Sequence, residues 1–333
     1  MNNNTIYLAV TVAFMIGLAI IGIMISRGVK SSEDWMVAGK SLGKIPMAGT
    51  YFATIVSATS IMSYMGYYYL NGWPGWWNAA GTLMTSFLAC IYFARKVRQS
   101  ECNTLPEFIE KRYSRAFSIP ASLLVVLCCT ALLANQVTGA VILLQSFVDW
   151  STITCCVILL LVFIVFTCIG GMKAVAWTDT VCALVIIVGV WIIAGEFLFR
   201  VGGFTAMNEG IAAVNPEFVQ GFSVSIPPMT ALSWVITWGI CNFGAPQFVA
   251  RFMSAESPEV ASKSQGITGI GLLLFYVPLA IIGLCGILIH PGIEKQDAVF
   301  TTLIMSEVSP LMGAVMLAAV VAAIISTADS LLL

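Results

Sequence analysis

Charge is what this chain has least of. Asp, Glu, Lys and Arg make up 9% of its 333 residues and the net charge is -1, where a soluble domain carries about 25% charged residues. With 59% hydrophobic residues, so little charge excludes a freely soluble globule. The lack of a basic excess leaves no field for nucleic acid. Histidine is nearly missing: His290 is the single one and sits at the end of an apolar segment. That leaves no His-based proton relay or catalytic triad. The ten cysteines include no C-x-x-C spacing. Cys128-Cys129 and Cys155-Cys156 lie in or near apolar segments, where cysteine acts as a small buried apolar residue. No nucleophile–base pair, phosphate loop or metal cluster can be read, so neither enzymatic chemistry nor a cofactor is expected. The first apolar run, Ile6 to Ser26, lacks a basic stretch ahead of it and is followed by positive charge. It reads as a membrane span rather than a cleavable signal.

The few cations are placed unevenly. Thirteen of the fifteen Lys and Arg fall in four gaps between apolar segments: Arg27 to Lys44, Arg95 to Arg115, Lys173, and Arg251 with Lys263. Only Arg200 and Lys295 lie elsewhere. Cationic loops stay cytoplasmic, so these four gaps are expected inside and the first segment is expected to begin outside. A spanning helix needs about 20 apolar residues. Nine such spans are expected, at about 6–26, 45–70, 76–94, 117–148, 153–170, 174–198, 229–250, 265–289 and 310–333. They form one transmembrane domain. Thr104 followed by Pro106 starts a helix well, so the inner loop 95–116 is expected to hold a short amphipathic helix. Gln296 to Ser309 is expected to form another over the outer mouth.

Two spans read as broken. The second holds Ser57-Ala58-Thr59-Ser60, then Ser63 and Gly66; the seventh holds Gly239, Asn242, Gly244 and Pro246-Gln247. Proline and glycine weaken a helix, and irregular backbone at membrane depth must line a cavity or pack in protein. Two interrupted helices point to a transporter's binding site. A proline kink with packing serines is the plainer alternative. In the last span Ser326 and Thr327 are adjacent hydroxyls. They either bond back to the preceding turn or offer neutral oxygens to a hard cation such as Na+. Asp149, Asp179, Glu196 and Asp329 all read as lying near span ends, and without mid-span carboxylates Na+ is favoured over H+ as coupling ion.

Four passages make the chain resemble the sodium:solute symporters. They are Ala53 to Ser60, close to the pantothenate branch; Gly170 to Asp179; Trp238 to Gln247 followed by Arg251-Phe252-Met253, similar to the proline branch; and Ala323 to Thr327. The resemblance implies an all-α membrane protein with a leucine-transporter (LeuT) type inverted repeat and one extra N-terminal helix. Spans two to six would be the first repeat, and spans seven to nine would begin a second, incomplete one. It implies a sodium site made by the carbonyls of Ala53, Val56 and Ala323 and the hydroxyls of Ser326 and Thr327. It places the solute near Ser57, Ser60, Gln136, Trp238 and Asn242, and Asp179 on the sodium exit path. The chain departs from the family pattern at Ile55, at Cys182 and at Asn242, where the proline branch has an aromatic. It also stops at Leu333, inside span nine.

The expectation is therefore sodium-coupled symport of a small, neutral organic solute by alternating access. The protein would sit multi-pass in the plasma (inner) membrane with its N-terminus outside. Na+ is the coupling ion, the lipid bilayer the surroundings, and no cofactor or nucleic acid is involved. A symporter-like sensor domain of a signalling protein is the alternative, and the oligomeric state is open.

Overall fold

The computed structural model describes residues 3–26, 30–240 and 244–332, the side chains of residues 58, 59, 169 and 170 excepted. Among them the chain is almost wholly helical, with one isolated parallel bridge between Leu42 and Ala255. In chain order the helices are α1 (Asn3–Ser26), α2 (Ser32–Val37), α3 (Lys44–Ile55), α4 (Ala58–Asn71), α5 (Trp77–Leu88), α6 (Ala94–Gln99), α7 (Leu105–Arg112), α8 (Arg115–Gln145), α9 (Thr152–Arg200), α10 (Phe204–Val214), α11 (Pro228–Ile240), α12 (Pro246–Ser254), α13 (Pro258–Ile289), α14 (Ala298–Glu307) and α15 (Pro310–Leu332).

By length and composition five helices can cross a membrane: α1, α8, the Gly171–Arg200 part of α9, α13 and α15. The pair α3 and α4, bent by 58°, makes a sixth if it is one span. Leu123, Leu124, Val126 and Leu127 stand exposed on α8, as do Ile16 and Ile20 on α1. An apolar exterior of this kind belongs in hydrocarbon.

Helix α15 is the centre of the bundle. Its buried stretch from Gly313 to Ser330 is rich in alanine, and small residues let helix backbones approach closely where lipid supplies no hydrophobic drive. Around it pack α1, α8 and α9, with α3 and α13 completing the core. Close approach also governs the α3–α9 contact: a methyl on Gly49 would sit 2.7 Å from the Thr180 Cα, so only glycine fits. Gly171, at φ 56° and ψ 177°, breaks α9 into two, which turns the second part onto α3.

The two short helices expected outside the spans are present. Thr104 Oγ1 accepts the Glu107 N–H at 3.2 Å and starts α7. Helix α14 covers α4, where Ser63 Oγ donates to Asp297 Oδ1 at 3.1 Å.

Candidate functional site

The site begins at the break between α3 and α4. In an unbroken helix the Ser57 N–H would bond the Ala53 carbonyl. Here it turns instead to Ser60 Oγ at 2.7 Å and to Ile55 O at 3.0 Å. Val56, at ψ 85°, leaves the helical ladder. The Ala53 carbonyl is thereby released, and the Thr327 hydroxyl of α15 donates to it at 3.2 Å. The same hydroxyl lies 3.0 Å from Ala323 O on its own helix. Beside it the buried Ser326 Oγ faces the Asp179 carboxyl but makes no hydrogen bond of normal geometry. Ala53, Ala323 and Thr327 thus meet within hydrogen-bond distance, with Ser326 the neighbour of Thr327 and Val56 at the break. These are the oxygens a small hard cation takes.

A cavity of about 310 Å³ opens next to this point. Four of the five residues expected around a solute line it: Ser57, Ser60, Gln136 and Trp238. Asn242 lies outside the described residues. Gln136 is 4% exposed and its Oε1 has no partner. Ser60 Oγ is already engaged by the Ser57 N–H and by the carbonyls of Ile55 and Ser57, so it shapes the break as much as the cavity. The Thr85 hydroxyl of α5 holds α11 in place through Gly239 O at 3.0 Å and the adjacent Trp238 carbonyl.

Sequence reasoning missed Tyr64, Thr82 and Tyr276, and named Gln247 only as part of the broken seventh span. Tyr64 OH pairs with Thr82 Oγ1 at 3.3 Å, the buried Tyr276 OH faces Thr82 without a hydrogen bond of normal geometry, and Gln247 Oε1 is buried without a partner. All four line the cavity. For Tyr64 a signal existed: it follows Ser60 by four residues and so shares its helix face. Thr82 and Tyr276 reach the site only through tertiary packing of α5 and α13.

Two expectations are corrected below this cavity. Arg251 does not sit in a wet cytoplasmic loop: it is 0% exposed on α12. There it donates to Gln247 O at 3.0 Å and to the Ser330 hydroxyl. Asp179 and Asp329, expected near span ends, are buried at 0% and 3% exposure, Asp329 in the last turn of α15. Asp179 Oδ2 accepts from Thr50 Oγ1 at 2.6 Å and Asp329 Oδ1 from Thr167 Oγ1 at 2.7 Å. Both carboxylates interact electrostatically with Arg251. The cause is packing: α12 is short and amphipathic and turns its arginine inward against α15. So the chain does hold carboxylates in its core, and their supposed absence is no argument against proton coupling.

Away from this cavity a separate polar cluster ties three elements. Arg200, closing α9, bonds Glu307 Oε2 at 2.6 Å, and His290, after α13, meets Glu307 Oε1 at 3.0 Å. The His290 and Arg200 hydrogen bonds hold the Glu307 carboxyl below its usual value.

A helical multi-pass bundle, with a broken helix pair facing a packed helix across a small oxygen-rich site, has the interrupted-helix pattern that points to a binding site in membrane transporters. A model of the sodium:solute symporter family matches residues 35–333, and the chain belongs to that family. Sodium/proline symporters of Salmonella typhimurium and Escherichia coli are each 27% identical to it over 339 residues, covering 96% of this chain and 66% of theirs. The high-affinity proline transporter PutP of Bacillus subtilis is 23% identical over 329 residues, covering 95% and 69%. The chain thus spans 66% of the length of the first two relatives. A solved structure of a Na+-coupled sialic acid symporter, substrate-bound and outward-open, matches with a TM-score of 0.82 at 21% identity, over 98% of this chain and 71% of its own. That likeness speaks for the fold, and the expected LeuT-type helical bundle is the one found.

Proposed function

We propose that this protein couples the entry of a small organic solute to Na+ moving down its gradient. The observation that carries the reading is the Thr327 hydroxyl reaching the Ala53 carbonyl that the α3–α4 break has released. Na+ entering there takes the carbonyls of Ala53, Val56 and Ala323 and the hydroxyls of Ser326 and Thr327. It replaces one weak hydrogen bond by an ion shared between α3 and α15. The break at Ser57 is then held in one shape, and Ser57 is also a wall of the solute cavity. Sodium and solute are linked through that backbone. Asp179, next to Ser326, stands on the ion's way inward.

The size of the cavity, about 310 Å³, lies at the low end of ligand pockets, which run from about 300 to 1,000 Å³. Its polar tips are hydroxyls and amides: Ser57, Tyr64, Gln136, Gln247 and Tyr276. These suit a small neutral or zwitterionic solute. Relatives named as proline symporters make L-proline the first solute to try. Where the chain carries Asn242, an amide replaces the aromatic of the proline branch, so other neutral solutes follow it.

The same reading places nine spans in one domain in the plasma membrane, with the N-terminus outside and the basic loops inside. An inside-negative potential then adds about 2.3 kcal/mol per charge per 100 mV to uptake. Rocking of one bundle against the other exposes the site alternately. The test is uptake by the complete gene product in proteoliposomes, using labelled L-proline, other neutral amino acids, sugars and vitamins. At least one should accumulate with Na+ outside and not with K+. Uptake of none, or equal uptake in both salts, contradicts the proposal.

A further inference from the structure

Three helices enclose an apolar groove that takes no part in the site above. It measures about 180 Å³ and is walled by residues 45–52 of α3, 180–187 of α9 and 267–271 of α13. Ile45, Leu184 and Ile267 along it are exposed, so it opens sideways between the helices, onto a surface that belongs in hydrocarbon. Ala48, Gly49 and Gly271 leave room because their side chains are small or missing. The two hydroxyls along the groove are spent. Thr180 Oγ1 donates to Ala176 O at 2.7 Å, and Thr268 Oγ1 to Ala48 O at 3.1 Å and to Ser264 O at 3.0 Å. Neither is left to hold a polar solute, and hydrocarbon is what fits.

Each wall carries a lysine toward the same end. The three helices ascend together: Ala48 meets Thr268 and Phe52 lies beside Gly271, while Trp35 lies beside Gly171 and Gly49 beside Thr180. Lys44 opens α3 next to Ile45. Lys263 comes four residues before Ile267 on α13, and Lys173 seven before Thr180 on α9, spacings that keep each on the groove face of its helix. All three lysines are exposed. Trp177 stands between Lys173 and Leu184 on that face of α9 and is exposed, as aromatic residues are at a membrane interface. Lys263 Nζ pairs with Glu259 Oε1 at 2.6 Å, and Lys44 and Arg95 act on the same carboxylate. Neither Lys44 nor Arg95 makes an ion pair of its own among the described residues. Glu256 lies beside Gly43, so three cations face two carboxylates at this mouth. Lys173, which also acts on Asp34, adds a fourth from α9.

We propose that this groove holds one acyl chain of an anionic phospholipid, whose phosphate sits among Lys44, Lys173 and Lys263. The inference goes beyond the symport reading and does not rest on it. A lipid tail gains little by leaving other tails for an apolar groove, because tails are as apolar as leucine. The headgroup therefore decides which lipid stays, and basic pockets between membrane helices hold anionic headgroups. The position of the groove gives the lipid a consequence. Phe52 lines it and directly precedes Ala53, whose carbonyl meets the Thr327 hydroxyl. A seated chain braces α3 against α9 and α13 just ahead of the α3–α4 break.

The test uses the complete gene product in nanodiscs of phosphatidylcholine. A trace of phosphatidylglycerol with a diazirine halfway along one chain is added, or the same amount of phosphatidylcholine so labelled. After irradiation the cross-linked peptides are located by mass spectrometry. Phosphatidylglycerol should label residues 45–52, 180–187 and 267–271 about tenfold more than phosphatidylcholine does, the preference a few cations give an anionic headgroup. Both lipids should label the exposed α1 positions Ile16 and Ile20 alike. Lys44→Gln with Lys173→Gln and Lys263→Gln should bring the two lipids within about twofold of each other at the groove. Gly271→Leu should lower groove labelling by both lipids; a Cβ there meets Phe52 at 3.4 Å, an ordinary contact, so the helices need not part. Equal labelling of the groove by the two lipids in the parent overturns the proposal, as does a triple variant that labels like the parent. Labelling of α1 but not of the groove also overturns it, and shows another segment of the chain or a second copy seated there. All of this is read without Na+ gradient or solute, so failure of the symport reading leaves the result standing.

Discussion

Thr327→Ala removes a single oxygen from α15 and adds no charge. In the folded protein that hydroxyl is the partner of the Ala53 carbonyl, at 3.2 Å. Its loss leaves a buried acceptor unpaired at a cost of about 1–3 kcal/mol, which a multi-span bundle survives. The effect on sodium is larger relative to its binding energy. Interactions of a polar group with a charge are worth about 1.5–3 kcal/mol, and each 1.4 kcal/mol is about tenfold in affinity. The Na+ concentration for half-maximal uptake should therefore rise about ten- to a hundredfold, as those figures convert. Thr327→Ser keeps the oxygen and should remain close to the parent. The assay is a Na+ titration of solute uptake at fixed potential. A Ser326→Ala, Thr327→Ala double variant with the parent's sodium dependence would refute the reasoning. The two hydroxyls would then be helix-packing groups alone.

Arg251→Ala removes the donor to the Gln247 carbonyl and the Ser330 hydroxyl and leaves a buried acceptor unpaired at a cost of about 1–3 kcal/mol; the melting temperature in detergent should fall, and an unchanged value would show these groups to be hydrated. The Arg200–Glu307–His290 cluster carries a pH dependence: the Glu307 carboxyl is held below its usual value by its His290 and Arg200 hydrogen bonds. Its stabilisation is full above the ordinary Glu value of about 4.3 and is lost as pH falls through the lower folded value. The melting temperature of the parent should drop on that acid side, and Glu307→Gln should start lower at neutral pH and drop less, since Asp34, Glu101 and Glu259 are held low as well. For topology, a cysteine at Glu209 should be labelled from outside intact cells and one at Lys263 should not; labelling of the latter would reverse the orientation.

Much of this was legible in the sequence because membrane physics leaves few choices. Nearly charge-free segments of the right length become helices, and the hydroxyls of Ser57 and Ser60 mark where one of them breaks. Ser326 and Thr327 stand out because adjacent hydroxyls are conspicuous in an alanine-rich helix. The sequence pattern was silent where a residue acts through a distant neighbour. Tyr276 lies in an apolar run of α13, and only packing brings its hydroxyl to the cavity beside Tyr64 and Thr82. Arg251 misled for a related reason. Counting cations between apolar segments assumes they are wet, whereas a short amphipathic helix can fold its cation inward onto a hydroxyl and a backbone carbonyl. For Asp179 and Asp329, distance along the chain said nothing of their burial in the bundle.

The most direct test of the whole account is a paired flux measurement on the complete protein in proteoliposomes, with labelled Na+ and labelled solute followed together. The account predicts that solute entry requires external Na+, that Na+ entry rises when solute is added, and that the Ser326→Ala, Thr327→Ala variant loses both fluxes at low Na+. Solute entry with no accompanying Na+, or driven equally by a proton gradient alone, would contradict it.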